Sequence, residues 1–310
     1  MFLRYRPEDV CSIIDPENAG QTAQDVLGYG GDIPIVSTFL EARDYIPNAL
    51  VIGSAPPGGF INEEYRKEII SAIKYGCDIY NGMHQFLNDD PELSVLARKN
   101  SITIKDFRRP PNPPHFSKGS WKKRKVKVLL IVGTDCDTGK MTTAWEITER
   151  LKKRGKNVRF LGTGQTGIML SGSGVPIDAV VADFLVGEIE YVIDSFGDKV
   201  DLVIVEGQGS LTNMYYAGVT LGLMHGAMPD YMVMTDEPER DLDVFDDPIA
   251  SIGEVMDLHL SLMKHFKSSK FLGINLLTLK MSENLAIEKI KKIEEQYNLP
   301  ATDLIRFGDG

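Results

Sequence analysis

The stretch VLLIVGTDCDTGKMTTAWEI, residues 128–147, constrains this chain more than any other. An apolar run that reads as a buried strand passes into a loop bounded by Gly133 and Gly139, then Lys140, then a helical pattern. In that context backbone N–H groups cradle phosphate oxygens, the lysine adds charge, and the helix turns its positive end inward. The expected phosphate site comprises Gly133, Thr134, Asp135, Asp137, Thr138, Gly139, Lys140, Met141 and Thr142. Two departures matter. The spacing between the glycines is one residue longer than the common form, and Met141 stands where Ser or Thr usually follows the lysine. That hydroxyl is a direct Mg²⁺ ligand in Mg-NTP enzymes, and a thioether is a poor ligand for so hard a cation. Thr142 does not replace it simply, because a one-residue shift turns a side chain by about 100° around a helix. Phosphate binding is therefore better supported than Mg-dependent hydrolysis.

The rest of the chain repeats the same alternation. VCSIID (10–15), IPIVST (33–38), ALVIGSA (49–55), CDIYNG (77–82) and SITIKDF (101–107) read as buried strands, with helices at AGQTAQDVLG, NEEYRKEIISAIKYG and PELSVLARKN between them. Asn62 suits an N-cap and Gly76 a stop for the second helix. Downstream, KVLLIVG, NVRFLG, DLVIVEG, DYMVMTD and KFLGINLLT read as strands. Helices are expected at 141–155, 178–195, 249–266 and 283–298, and DLIRFGDG reads as a last strand. Both halves are α/β: a Rossmann-like domain over 1–109 and a P-loop NTPase-like parallel-sheet domain over 126–310. Between them, 110–125 holds Pro110, Pro111, Pro113 and Pro114 followed by a basic run, and reads as a solvated linker leading into a strand.

Composition narrows the function classes. With 34 Lys+Arg against 44 Asp+Glu the net charge is −10, which argues against sequence-independent nucleic-acid binding. Three cysteines without a C-x-x-C pair exclude a disulfide framework or structural zinc site and suit a reducing cytosol. No apolar run approaches the roughly 20 residues needed to span a bilayer, and MFLRYRPEDV lacks a secretory h-region. A cytoplasmic protein with no membrane partner is expected. The Met-rich 214–234 segment reads as core and interface, the basis for expecting a homo-oligomer.

GTDxxxGK resembles the loop of dethiobiotin synthetase-like proteins, and DLVIVEGQGSL resembles their V-E-G-x-G strand end, where the Glu helps to hold Mg²⁺. This marks Glu206. More of the chain is similar to a bacterial family of two-domain P-loop proteins that includes D-glutamate N-acetyltransferases (DgcN-like). The carrying segments are GTDCDTGKMTT, FLGTGQTGIMLSGSGVPIDAVVADF, VEGQGSL, YAGVTLGLMHGAMPD and IPIVSTFLEARDYIPNALVIGSAPPGGFI. In this family Met after the lysine belongs to the pattern. The N-terminal GGDIPIVSTFLEARDYIPNALVIGSAPPGGF is also similar to the CoA-binding domain of succinyl-CoA ligase α-subunits, although DPENAGQT lacks that domain's glycine-rich turn.

The resemblance implies an N-acyltransferase that uses acetyl-CoA or another acyl-CoA on the amino group of a small amino acid, D-glutamate being the implied acceptor. Such chemistry needs a base for the ammonium and a donor for the oxyanion. Glu206 or His225 is the candidate base, Lys140 holds cofactor phosphates, and Gln165, Thr166, Gln208 and Arg240 are candidates for acceptor binding. The glycine-rich 162–174 stretch reads as a loop over the ligand, and Cys136 as a thiol of low pKa or a buried filler. One alternative is a Mg-ATP-dependent ligase or kinase, with ATP at the P-loop and Mg²⁺ on Glu206 and Asp183. The other is a non-enzymatic nucleotide- or CoA-sensing module.

Overall fold

A computed structural model describes residues 1–53 and 59–308, and these form two compact units, Met1–Arg109 and Pro110–Gly310. The expected loop at Pro56 and Pro57, with the end of the strand before it, lies outside the described residues.

In the first unit α1 (Phe2–Tyr5) precedes β1 (Ile13–Ile14), α2 (Ala23–Leu27), β2 (Ile35–Val36), α3 (Phe39–Ala42) and β3 (Ala49–Ile52). Then come α4 (Glu63–Tyr75), β4 (Asp78–Asn81), α5 (Pro91–Lys99) and β5 (Ile104–Asp106). β1 and β2 pair in parallel, and β3-β4-β5 form a second parallel sheet. Local chemistry sets the boundaries. Asn62 accepts from the Tyr65 amide at 2.8 Å to open α4, and Gly76 closes it at φ 111°. Phe39, Ile69, Ile73, Ile79, Leu87 and Leu93 make the core.

The second unit runs β6 (Lys127–Gly133), α6 (Lys140–Lys153), β7 (Val158–Leu161), α7 (Gln165–Ser171), α8 (Ala182–Ser195), β8 (Leu202–Val205) and α9 (Ala217–Ala227). It continues with β9 (Tyr231–Asp236), α10 (Ile252–Met263), β10 (Lys270–Leu276), α11 (Glu283–Tyr297) and β11 (Ala301–Thr302). Its six strands are all parallel in the order β11-β10-β9-β6-β8-β7. After β6 the chain travels toward β7, whereas after β9 it travels toward β10, so the order reverses at the neighbouring pair β6 and β9. Open α/β sheets bind ligands at that reversal, outside the carboxyl ends of the strands. Val128, Leu130, Ile131 and Val132 are buried along β6, as an apolar run in a central parallel strand requires.

Three readings of the sequence change, and the core reading of the Met-rich segment is borne out. The 162–174 stretch is not an open loop, because α7 occupies its middle. Residues 303–308 do not form the expected last strand, and the rest of DLIRFGDG lies outside the described residues. The last strand ends at Thr302, and Asp303 turns the chain by accepting from the Ile305 and Arg306 amides. The Met-rich segment is core as read, with Met224, Met228, Met232 and Met234 buried and Met214 exposed, and it contains α9. Finally, the proline-rich stretch is fastened to its own unit. The buried Glu188 accepts from the His115 amide at 2.6 Å, and the buried Glu190 accepts from Ser117 Oγ, Ser120 Oγ and the Lys118 amide. Gly187 lets this segment lie against α8, since a Cβ there would strike the His115 carbonyl. Among the described residues no helix is long and apolar enough to cross a membrane.

Candidate functional site

The phosphate loop leaves β6 at Gly133, a position that tolerates no side chain: a Cβ would meet Thr138 Oγ1 at 2.5 Å and Thr235 Oγ1 at 2.7 Å. Asp137 holds φ 57° and Gly139 φ 86°, and no side chain caps α6 behind them. The first amides of α6 are thus left to an anion. Lys140 begins that helix and is 7 % exposed, its ammonium donating to the Asp135 carbonyl and, at 3.4 Å, to Thr138 Oγ1. Burial pulls its pKa down to about 8. Thr143 points elsewhere, donating to the Gly139 carbonyl and accepting from Asn275, each at 2.9 Å.

Glu206 stands just past β8, beside the loop, and is 3 % exposed. Its Oε2 accepts from the amides of Thr163 at 2.7 Å and Gly164 at 3.3 Å, while Thr163 Oγ1 donates to its carbonyl. Burial raises its pKa to about 7, against the lowering effect of those amides and the Lys140 charge. Glycine explains why the 162–174 segment packs so closely. A Cβ on Gly167 would collide with Glu206 Oε2, and one on Gly207 with the Ile131 carbonyl. Gln208 donates to Thr163 Oγ1 at 3.2 Å, which places it on the same network.

Asp135 organises the opposite side. Its carboxylate is 2 % exposed and accepts from Asn213 Nδ2 at 2.7 Å and Arg240 Nη2 at 3.1 Å. Asn213 follows β8 and also reaches Asp243 Oδ2 at 3.3 Å, while Arg240 follows β9 and donates to the Cys136 carbonyl at 2.5 Å. These loops wall a cavity of about 130 Å³ lined in part by Thr134, Asp135, Thr212, Asn213, Asp243 and Asp247. Asn213 carried no local sequence signal, because its partners are 78 and 30 residues away.

Other expected residues fall as follows. Gln165 and Thr166 open α7, one residue beyond the Gly164 amide that Glu206 holds. Arg240 pairs with Asp135 and, at 3.4 Å, with Glu237, while its buried Nε makes no hydrogen bond. His225 is corrected. It lies in the last turn of α9, which runs from the Gln208 end of the site back toward the start of β9, and its ring packs edge-on against Phe266 at 5.1 Å. That end of the sheet is opposite the phosphate loop. Cys136 does not have a lowered pKa; burial raises it.

The residues present fit a phosphate-bearing ligand: an uncapped helix start, a loop whose glycine a Cβ would displace, and a buried lysine. They fit Mg²⁺ less well. Glu206 is buried and already accepts two amides, Asp183 stands exposed on the first turn of α8, and Met141 offers sulfur. Among the described residues no group of three or more His, Cys, Asp or Glu is placed to hold a metal.

Fold and site together define a two-domain α/β protein, a Rossmann-like unit followed by a P-loop unit. Residues 16–110 match the Rossmann-like domain DUF1611_N, and 115–310 match DUF1611_C, described as a P-loop domain of unknown function. The chain belongs to the DUF1611 family. A D-glutamate N-acetyltransferase of Tritonibacter scottomollicae is 39% identical over 290 residues, covering 91% of this chain and 85% of the relative. Another from Pseudoalteromonas sp is 34% identical over 274 residues, covering 87% and 82%. The crystal structure of a DUF1611 family protein from Anabaena variabilis superimposes with a TM-score of 0.94 at 34% identity, covering 99% of this chain and 90% of that one.

Proposed function

We propose that this chain is an N-acyltransferase that moves the acyl group of acetyl-CoA, or another acyl-CoA, to the amino group of a small amino acid, D-glutamate first. The observation that carries this reading is its similarity, over about nine-tenths of its length, to two D-glutamate N-acetyltransferases. The site's chemistry is compatible. Lys140 and the amides at the start of α6 suit the phosphates of CoA, which supplies the activated thioester. Glu206 is the general base. A carboxylate with a pKa of about 7 is half ionised near neutral pH and takes one proton from the acceptor's ammonium. The freed amine forms the N–C bond as the C–S bond breaks. Its second proton goes to the departing thiolate, so that CoA leaves as the thiol.

The test is an assay of thiol release and of N-acetyl product by mass, with D-glutamate, L-glutamate and other small amino acids offered alongside acetyl-CoA. Acetyl transfer that is insensitive to EDTA and lost in Lys140→Ala is expected. Release of ADP from Mg-ATP with a carboxylate or amine substrate, and no thiol release, would replace this reading with the ligase. Tight binding of acetyl-CoA without turnover in any amine screen would favour the sensing module.

A further inference from the structure

Thr163 connects the proposed base to a carboxamide with one hydrogen to spare. It is fully buried, and the single proton of its hydroxyl goes to the Glu206 carbonyl at 2.9 Å. Toward Gln208 that oxygen can therefore only accept. This fixes the orientation of the Gln208 carboxamide, whose nitrogen faces Thr163 Oγ1 at 3.2 Å. A carboxamide nitrogen carries two N–H groups, and this bond uses one of them. Among the described residues the other N–H has no partner. The main chain behind it is held as well. The Gln208 carbonyl accepts from Thr220 Oγ1 at 2.7 Å, and Gly207 packs against the Ile131 carbonyl.

Gly164 shows where the two side chains meet. Its backbone, at φ −118° and ψ 165°, is extended and open to any residue, so its missing side chain serves space rather than conformation. The point where a Cβ would stand lies 3.0 Å from Gln208 Nε2 and 3.8 Å from Glu206 Oε1. Carboxamide and carboxylate thus border one small volume beside a glycine. Glu206 faces it with Oε1, since Oε2 is the oxygen that accepts the Thr163 and Gly164 amides. A hydrogen-bond donor and a proton acceptor, each held from behind, are what attack on a thioester carbonyl requires.

We propose that the second N–H of Gln208 is the oxyanion donor of acyl transfer, and that Thr163 is the positioning residue that sets it against Glu206. The proposal rests on the transferase reading. Glu206 takes one proton from the acceptor's ammonium. The amine lone pair then forms the N–C bond while the carbonyl π pair moves onto oxygen, where the Gln208 N–H meets the negative charge. That pair returns to carbon as the C–S bond breaks and sulfur keeps its electrons. A second proton passes from nitrogen to the thiolate, and Glu206 gives its own proton to water before the next turnover. Gln208 donates most strongly while charge sits on oxygen, so it lowers the barrier without tightening ground-state binding.

The experiment is steady-state kinetics on the full chain, with acetyl-CoA and D-glutamate varied independently. Gln208→Met keeps the length of the side chain and removes the donor. It is expected to lower kcat by about 100-fold while both KM values stay within about threefold of wild type. Thr163→Val keeps the shape and removes the hydroxyl. It should lower kcat by about tenfold or more, and Thr163→Ser should restore most of that loss. Combining Thr163→Val with Gln208→Met should cost no more than Gln208→Met alone, because the hydroxyl acts through the carboxamide. Should Thr163→Val fail to fold, Thr163→Ala takes its place. A kcat loss below about tenfold in Gln208→Met would overturn the donor role. So would a raised D-glutamate KM at unchanged kcat, which would return Gln208 to acceptor binding. Losses that multiply in the double variant would overturn the role of Thr163. A wild-type protein that transfers no acetyl group would remove the transferase reading and the donor role together, whereas an active wild type with an undiminished Gln208→Met removes the donor role alone.

Discussion

Glu206 and Lys140 are buried at the same strand ends, and burial drives their pKa values toward each other, to about 7 and about 8. Their signs give a pH profile. As the proposed base, Glu206 must first lose its proton, so kcat/KM is expected to rise as pH passes upward through about 7. In its proposed role Lys140 holds the donor's phosphates only while charged, so kcat/KM is expected to fall as pH passes through about 8. A narrow bell is expected, and Glu206→Gln should remove its acid limb and lower kcat by about 100-fold or more. Stability moves the other way. A carboxyl whose folded pKa exceeds its ordinary 4.5 binds its proton more tightly in the folded state, so stability declines as pH rises from 4.5 to about 7. Glutamine can occupy the Thr163 and Gly164 amides without that charge. The variant should therefore be more stable than wild type at pH 8 in denaturant unfolding, by something on the order of 3 kcal/mol, and show no advantage at pH 4.5. The V-E-G motif marked Glu206 as a candidate from the sequence. Its shifted pKa was not legible there, because desolvation comes from α7 and the phosphate loop, which are local in space and remote in sequence.

Helices and strands with strong periodicity were read within a few residues: β6, α4 and α11 needed only an apolar run, an amphipathic stripe or a glycine stop. α7 and α9 were missed for a shared reason. Each is interrupted by glycines, whose intrinsic preference opposes helix, and each forms because the missing side chains permit contact with Glu206, Leu185 and Ile189. The proline-rich strap is solvated as read, with 111–114 exposed, but its anchoring was not legible because its partners, Glu188 and Glu190, lie about 70 residues downstream. Glu190→Ala would strand the Lys118 and Ser120 amides and two serine hydroxyls in a partly buried place. A loss on the order of 3 kcal/mol is expected in denaturant unfolding, with faster amide exchange across 117–120.

At the scale of the molecule, the boundary between compact units falls at Arg109 and Pro110, so the strap folds with the P-loop unit. A fragment covering 110–310 is expected to unfold in one cooperative transition, whereas 126–310, which leaves Glu188 and Glu190 buried without their partners, should be several kcal/mol less stable or insoluble. Circular dichroism melts of both fragments check this. The same division separates what could be read early from what could not. Sequence alone determined the α/β class, the strand–loop–helix of the phosphate site and the family, because each depends on residues close along the chain or on a motif written in order. Tertiary structure alone decided that Arg240 belongs to Asp135, that His225 faces away from the site, and that Asn213 joins two loops into a cavity. Hydrogen bonding and burial act across a few ångströms of space whatever the separation along the chain, and only the folded sheet brings those groups within that range.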